Sequence, residues 1–137
     1  MIDAELLAKK LAFVETCVSD LQRLAQPERI DSDLREERFV AHTLQLAIQA
    51  ALDAASHIVS SKRLGEPETN HELFQILRRE AVLPEDLAES LRRMVGFRNI
   101  LVHGYQAVDK QVLRHVVEHN LDDLLAFSRH VRESFTT

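Results

Sequence analysis

The sequence predicts an all-α protein, and three features of its composition support that prediction. Turn-forming residues are scarce, because the 137 residues include only 3 Gly and 3 Pro, well below the roughly 12% combined average. Aromatic residues make up 5% of the chain, with no Trp, which is unfavourable for a sandwich, a barrel or a doubly wound sheet. Apolar residues make up 45% and recur at helical spacing. The length suits one domain spanning residues 1–137, large enough for a hydrophobic core.

The first two helices follow from their apolar stripes and their stop signals. Residues 4–25 carry apolar residues at helical spacing, and Pro27 ends this helix. The second helix begins near the Asp-Ser-Asp triplet at 31–33, which offers N-cap candidates, and runs to about residue 63. Gly65 is then a natural left-handed stop. Because its second half is almost uncharged and rich in Ala, we expect this helix to be central or to form a self-association surface.

Three further helices complete a predicted five-helix antiparallel bundle. A capping box at residues 69–72 starts a short third helix that ends near Glu80. Pro84 opens the fourth helix, since proline is tolerated in a first helical turn. Asp109 caps the fifth helix, whose apolar stripe continues without a gap to Phe135. Short connections favour antiparallel neighbours.

Charge and cysteine content exclude several classes of protein. With 17 Lys and Arg against 22 Asp and Glu, the formal charge is −5, so we do not expect non-specific coating of nucleic acid. A local RNA site remains compatible with this charge. Cys17 is the only cysteine; it excludes an intramolecular disulfide and a cysteine-based zinc cluster, and we expect a packed thiol. With no secretory signal or membrane span in the sequence, we expect a cytoplasmic protein that does not contact membranes.

The apolar face of the fourth helix contains one charged residue, Arg98. At 100° per residue, six apolar side chains fall within about 60° of it: Leu87, Leu91, Met94, Val95, Leu101 and Val102. A guanidinium in this position needs a carboxylate, a phosphate or access to water. Asp53 is the candidate for an ion pair, because it is the only Asp, Glu, Lys or Arg between residues 39 and 59. A supporting ion pair and a functional arginine both remain open.

His103 lies on the polar side of the same helix, about 140° from Arg98 and close to Asn99 and Arg92. A surface histidine is usually only solvated. On one straight helix Arg98 and His103 cannot converge on a single atom. Their cooperation requires either unwinding near Gly104 or a second subunit.

The segment RNILVHGY at residues 98–105 fits the R-x4-H-x-Y motif of HEPN ribonucleases. The segments MVGFRN at 94–99 and DAASHI at 53–58 are similar to the corresponding parts of HepT toxins, and the resemblance extends over essentially the whole chain. It implies a HEPN fold and a metal-independent endoribonuclease toxin without a cofactor. It also implies a homodimer whose shared cleft cleaves tRNA or mRNA, leaving a 2′,3′-cyclic phosphate.

The resemblance assigns catalytic roles to four residues. His103 would transfer protons, and Arg98 would stabilise the charge that develops on the phosphate. Asn99 would orient the imidazole or the substrate, and Tyr105 would contact the phosphate or the ribose. Further arginines could contact the RNA backbone, although each is otherwise an ordinary surface residue: Arg78, Arg79, Arg92 and Arg93.

The resemblance also implies a protein partner. HepT toxins are paired with MntA-type nucleotidyltransferase antitoxins in type VII toxin–antitoxin systems, and the antitoxin transfers AMP to the motif tyrosine. Here that residue is Tyr105, where a nucleotide would block the cleft and repel RNA. This chain carries no nucleotidyltransferase signature, so the modifying activity is expected in another protein.

Three other interpretations compete with a ribonuclease. A non-catalytic HEPN module could bind a nucleotidyltransferase or nucleotides, and a plain dimeric scaffold would have no RNA phenotype. The segment HVVEH at residues 115–119 fits the H-x-x-E-H pattern of zinc peptidases. Since no third ligand is evident, we interpret its histidines as polar residues that flank a helix and predict no metal site.

Overall fold

A computed structural model describes residues 1–103 and 109–135, with His103 described by its backbone alone. Within these ranges the chain is all-helical, as predicted, and forms six α-helices. They are α1 (Ala4–Leu24), α2 (Leu34–Ser61), α3 (Asn70–Arg79), α4 (Glu85–His103), α5 (Lys110–His119) and α6 (Leu121–Phe135), with a 3₁₀ turn at Pro27–Arg29. None of these helices is long and apolar enough to cross a lipid bilayer.

Helix α2 lies at the centre of the bundle and packs against each of the other five helices. The side chains of Ala47, Ala50, Ala51, Ala54 and Ala55 are all buried along it. Small side chains let neighbouring helices approach closely, and this is why a nearly uncharged helix occupies the centre. The central position was one of the two predicted from the sequence.

The thiol of Cys17 is packed in the core, as expected. Cys17 is only 4% exposed, and burial raises the pKa of this thiol. A raised pKa keeps the less reactive protonated form at neutral pH. The residue therefore behaves as a small apolar side chain.

The predicted fifth helix is in fact two helices, separated at Asn120. The backbone N–H of Asn120 still donates to the carbonyl of Val116, but its φ of −113° and ψ of 0° end α5. The side-chain amide of Asn120 then donates to the carboxylate of Asp123 in the first turn of α6 (3.3 Å). Asparagine favours such local bonds over a continuous helix. The apolar stripe spans the break, and its spacing alone could not reveal the interruption.

The end of α2 also differs from the prediction. The helix ends at Ser61, and the left-handed residue that follows it is Arg63, with a φ of 53°. The N–H of Leu64 donates to the carbonyl of Val59 (3.0 Å), which closes the helix end. Gly65, the predicted stop, lies beyond this closure.

The predicted caps of α3 and α5 have different outcomes. Asp109 caps α5 as predicted, because its carboxylate accepts from the backbone N–H of Gln111 (2.8 Å). Thr69 occupies the N-cap position of α3, but its side chain makes no capping hydrogen bond. The carboxylate of Glu72 accepts from the N–H of Glu68 (2.7 Å). The predicted capping box at 69–72 is therefore not formed, because Glu72 bonds the N–H of Glu68 and not that of Thr69.

Candidate active site

Arg98 lies where α4 packs against α2, and its side chain is half-buried. Its Nη1 donates to the side-chain oxygen of Asn99 (3.1 Å), and its Nη2 donates to the side-chain oxygen of Gln49. The Nε atom is buried and has no hydrogen-bond partner among the described residues. Both acceptors are neutral amides, so the contacts seen in this part of the chain leave the positive charge of Arg98 uncompensated.

The expected direct ion pair between Asp53 and Arg98 does not form. Instead, Oδ2 of Asp53 accepts from Nζ of Lys10 on α1 (3.0 Å), and Oδ1 accepts from Nε2 of Gln49 (2.8 Å). The carboxylate therefore reaches Arg98 only through an intervening amide. The physical reason is that α1 packs alongside α2 and brings a cation to Asp53.

Sequence reasoning missed Gln49, the residue that links α2 to Arg98. It lies four residues before Asp53, which is one helical turn and therefore the same face of α2. The available signal was this i, i+4 spacing beside a carboxylate in an otherwise apolar stretch. A guanidinium is usually matched by a charged partner, and a neutral amide carries no charge that would mark it as one.

The remaining motif residues are described to different extents. Asn99 is half-buried and contacts Arg98. His103 is the last described residue of α4, and its side chain and the whole of Tyr105 lie outside the described residues. Along the helix, Arg98 and His103 are separated by about 7.5 Å of rise and about 140° of rotation.

A cleft of about 450 Å³ opens beside Arg98, between α2 and the C-terminal part of α4. Its lining residues are Arg38, Ala41, His42, Gln45 and Leu101. Gln45 lies one turn before Gln49, and Leu101 lies about one turn after Arg98, so the cleft borders the site. Arg38 and His42 are exposed there, and neither of these basic residues was predicted from the sequence to belong to the site.

Two of the four arginines predicted to contact RNA have partners within the protein. Arg92 forms two hydrogen bonds with the carboxylate of Glu89 (3.1 and 2.8 Å), and these hold the pKa of Glu89 below its usual range. Arg79 donates to the backbone carbonyl of Leu64 (2.9 Å), tying α3 to the segment after α2. None of these contacts involves Arg98.

The other two arginines, Arg93 on α4 and Arg78 on α3, line two different clefts. Arg93 lines a cleft of about 390 Å³ between α4 and α5, together with His115. Arg78 lines a groove at the start of α4 that includes Ala88, ten residues and therefore about 15 Å of helix before Arg98. The structure thus does not gather the four arginines at one place.

The chain matches the family model described as ribonuclease HepT-like over residues 14–131. It belongs to the HepT-like ribonuclease family. The mRNA nuclease HepT of Shewanella oneidensis is 30% identical over 124 residues, which cover 90% of this chain and 93% of that protein. The tRNA nuclease HepT of Aphanizomenon flos-aquae is 36% identical over 78 residues, which cover 57% of this chain and 53% of that protein.

Solved structures of HepT-like proteins have the same fold. The tri-AMPylated HEPN toxin of Shewanella oneidensis, in complex with its MNT antitoxin, superposes with a TM-score of 0.87 at 29% identity, covering 97% of this chain and 99% of that chain. A toxin–antitoxin structure with AMP-PNP gives a TM-score of 0.88 at 28% identity, covering 94% and 98%. The expected HEPN fold and ribonuclease class are confirmed.

In a HepT-like ribonuclease, a half-buried guanidinium whose charge is not compensated by its described contacts can bind a phosphate through charge-assisted hydrogen bonds.

The H-x-x-E-H segment is less suited to bind a catalytic metal ion. The rings of His115 and His119 lie 4.8 Å apart on the exposed side of α5. No group of three or more potential metal ligands is present within residues 1–102 and 109–135.

Proposed function

We propose that this chain is a metal-independent endoribonuclease toxin with a site composed of Arg98, Asn99, His103 and Tyr105. One observation carries the proposal: the guanidinium of Arg98 is held by two neutral amides, about one helical turn from residues that line a cleft. Because these contacts do not neutralise it, an RNA phosphate is the complementary ligand. Two copies of the chain complete the site.

The reaction is an internal transfer at phosphorus. One histidine accepts the proton of the ribose 2′-OH, whose oxygen attacks the adjacent phosphorus, and a bond from O2′ to phosphorus forms. The bond from phosphorus to O5′ breaks, and O5′ takes the proton back from the same imidazole, leaving a 2′,3′-cyclic phosphate and a 5′-OH. Arg98 stabilises the negative charge on the non-bridging oxygens. Asn99 orients the imidazole or the RNA, and Tyr105 contacts the phosphate or the ribose.

The positions of Arg98 and His103 on α4 support a homodimer, with unwinding near Gly104 as the alternative. With about 140° of rotation between them, one straight helix does not direct both side chains to the same phosphate. A second copy supplies the missing group, so that each site combines Arg98 of one subunit with His103 of the other. Two-fold symmetry then creates two equivalent sites.

The RNA strand continues from Arg98 into the cleft that Arg38 and His42 border. Their basic side chains lie on the same face of α2 as Gln49, so they are suited to contact a neighbouring phosphate. Arg93 is a further backbone contact, while Arg78, Arg79 and Arg92 contribute less. The substrate is tRNA or mRNA, since relatives are named as nucleases of both kinds.

A MntA-like nucleotidyltransferase neutralises the toxin in the cytoplasm by transferring AMP to Tyr105. The support is a similar HEPN toxin that is tri-AMPylated and bound to an MNT antitoxin. Nucleotide phosphates on Tyr105 would repel the RNA backbone.

The test is cleavage of total tRNA and of one defined mRNA in EDTA by unmodified protein, His103→Ala and Arg98→Ala. Intact mass spectrometry first establishes that Tyr105 carries no AMP. We expect cleavage by the unmodified chain alone, with cyclic-phosphate ends. Cleavage that persists in purified His103→Ala, or that EDTA abolishes, would contradict the proposal. An unmodified chain that cuts neither RNA would favour a non-catalytic HEPN module.

A further inference from the structure

A chain of polar contacts crosses three helices and ends at Arg98. It runs from Lys10 on α1 to Asp53 and Gln49 on α2, and then to Arg98 and Asn99 on α4. We propose that Gln49 is a positioning residue that aims Arg98 at the scissile phosphate, and that Asp53 fixes the orientation of the Gln49 amide. This inference rests on the proposed ribonuclease function.

The two neighbours of Gln49 determine which way its amide points. An ionised carboxylate only accepts hydrogen bonds, so Oδ1 of Asp53 takes the NH₂ end of Gln49 (2.8 Å). A guanidinium only donates, so Arg98 takes the remaining oxygen. Both requirements are met by one of the two amide orientations. The flipped amide would place donor against donor at Arg98 and acceptor against acceptor at Asp53.

The order of these contacts keeps the charge of Arg98 available. The charge of Asp53 is matched by Lys10 at 3.0 Å, and the neutral amide of Gln49 separates that carboxylate from the guanidinium. A carboxylate bound directly to Arg98 would compete with a phosphate for the same N–H groups. An amide holds the guanidinium in place without neutralising it.

The geometry also leaves donors for a ligand. Each of the two Nη atoms of Arg98 uses one hydrogen on an amide oxygen, Gln49 for one and Asn99 for the other. The second hydrogen on each Nη remains for the non-bridging oxygens of a phosphate, counting the contacts within the described ranges. The planar guanidinium can donate these hydrogens to phosphate oxygens.

The experiment compares Gln49→Ala with Gln22→Ala in single-turnover cleavage. Gln22 is an exposed glutamine on α1 that lies outside the site, so its variant is a matched control. Because a displaced catalytic group typically costs about 10²-fold in rate, we expect Gln49→Ala to lower kcat to about that extent. Affinity for an uncleavable RNA with a 2′-O-methyl group is expected to change only a few-fold. An equal loss of kcat in both variants, or an unchanged kcat in Gln49→Ala, would overturn the inference.

Two further variants distinguish a positioning role of Gln49 from a packing role. Gln49→Glu preserves the shape of the side chain but places a carboxylate on Arg98, so we expect a loss of kcat at least as large as in Gln49→Ala. In an Arg98→Lys background, whose ammonium cannot make the same forked contacts, Gln49→Ala is expected to cost little more. If Gln49 only packs α2 against α4, the Gln49 variants would lower Tm while the folded protein cleaved normally. The losses of stability in Gln49→Ala and Arg98→Lys would then add in the double variant.

The outcomes distinguish this inference from the proposed function. If Arg98→Ala and His103→Ala both cleave like the unmodified chain, the ribonuclease site is wrong and the inference fails with it. If both are inactive while Gln49→Ala matches Gln22→Ala, the site assignment holds and the role of Gln49 alone is rejected.

Discussion

Two half-buried arginines connect helices in this molecule, and their partners differ in charge. On α6, Arg132 donates two hydrogen bonds to the carboxylate of Glu15 on α1 (both 2.9 Å), and the hydroxyl of Ser128 donates to the same carboxylate. On α4, Arg98 donates to the amides of Gln49 and Asn99. The first arginine is matched by a carboxylate, whereas the partners of the second among residues 1–102 and 109–135 are neutral.

This difference separates a structural contact from a candidate functional one. Hydrogen bonds from Arg132 and Ser128 hold the pKa of Glu15 below its usual range, which means that folding stabilises the ion pair. Arg98 is also held in position by hydrogen bonds, but its acceptors within the described residues are neutral, so these contacts leave its charge available for a ligand. The identity of the partner, carboxylate or amide, therefore says more about function than the burial of the arginine does.

The largest expected effect comes from mixing two inactive variants. If each site uses Arg98 of one subunit and His103 of the other, a heterodimer of Arg98→Ala and His103→Ala contains one intact site. Random mixing gives half heterodimers, so about a quarter of normal activity is expected to return. The measurement is RNA cleavage after co-refolding, with each variant alone as the control. Continued inactivity in confirmed heterodimers would argue against a site shared in this way.

Loss of the Arg132 contact is expected to affect stability and to leave catalysis intact. Arg132→Met removes a charged hydrogen-bond partner from Glu15, and since both side chains are 37% exposed, solvent screening limits the loss to about 1–2 kcal/mol. Urea unfolding measures this change. Cleavage by the folded variant is expected to equal that of the parent chain. A large loss of cleavage would mean that Arg132, like Arg98, has a functional role.

The same contact predicts how stability depends on pH. Because the pKa of Glu15 is lower in the folded state than in the unfolded state, its contribution is fully present above the unfolded value. It is lost as pH falls through the folded value. We expect Glu15→Gln to be less stable than the parent at pH 7, with the difference shrinking at acidic pH. A difference in unfolding free energy that stays constant from pH 7 to acid would contradict this account.

The smallest effect is expected at two neighbouring arginines on α4. Arg92 is engaged by Glu89, while Arg93 is exposed at a cleft. Arg93→Ala is therefore expected to weaken RNA binding a few-fold and to reduce its salt dependence, because one phosphate contact is lost. Arg92→Ala is expected to change binding less. Filter binding at several salt concentrations measures both variants. A larger effect of Arg92→Ala would indicate that Arg92, and not Arg93, contacts the RNA backbone.

Helical periodicity predicted much of the fold, and it also marked Arg98 as a charged residue on an apolar helix face. The uncharged, Ala-rich character of α2 indicated its central position, and the apolar face of α4 made Arg98 conspicuous. The break at Asn120 could not be predicted, because the apolar stripe has the same spacing on both sides of it. Local side-chain bonds from Asn120, which periodicity does not detect, end the helix.

The partners of Arg98 could be predicted only in part. Asp53 was conspicuous as an isolated charge, but its ion pair is with Lys10, 43 residues away along the chain. That contact depends on how α1 packs against α2, and a single sequence does not specify this alignment. Gln49 was missed because an amide carries no charge signal, even though it lies one turn from Asp53.

The most direct test of the account compares Arg98→Ala with Arg132→Met in single-turnover RNA cleavage in EDTA, with Tm measured on the same samples. Loss of a donor that stabilises developing charge typically costs about 10²–10³-fold. At least this loss is expected for Arg98→Ala with nearly unchanged Tm, and a lowered Tm with normal cleavage is expected for Arg132→Met. Normal cleavage by folded Arg98→Ala would show that this arginine does not bind the reacting phosphate.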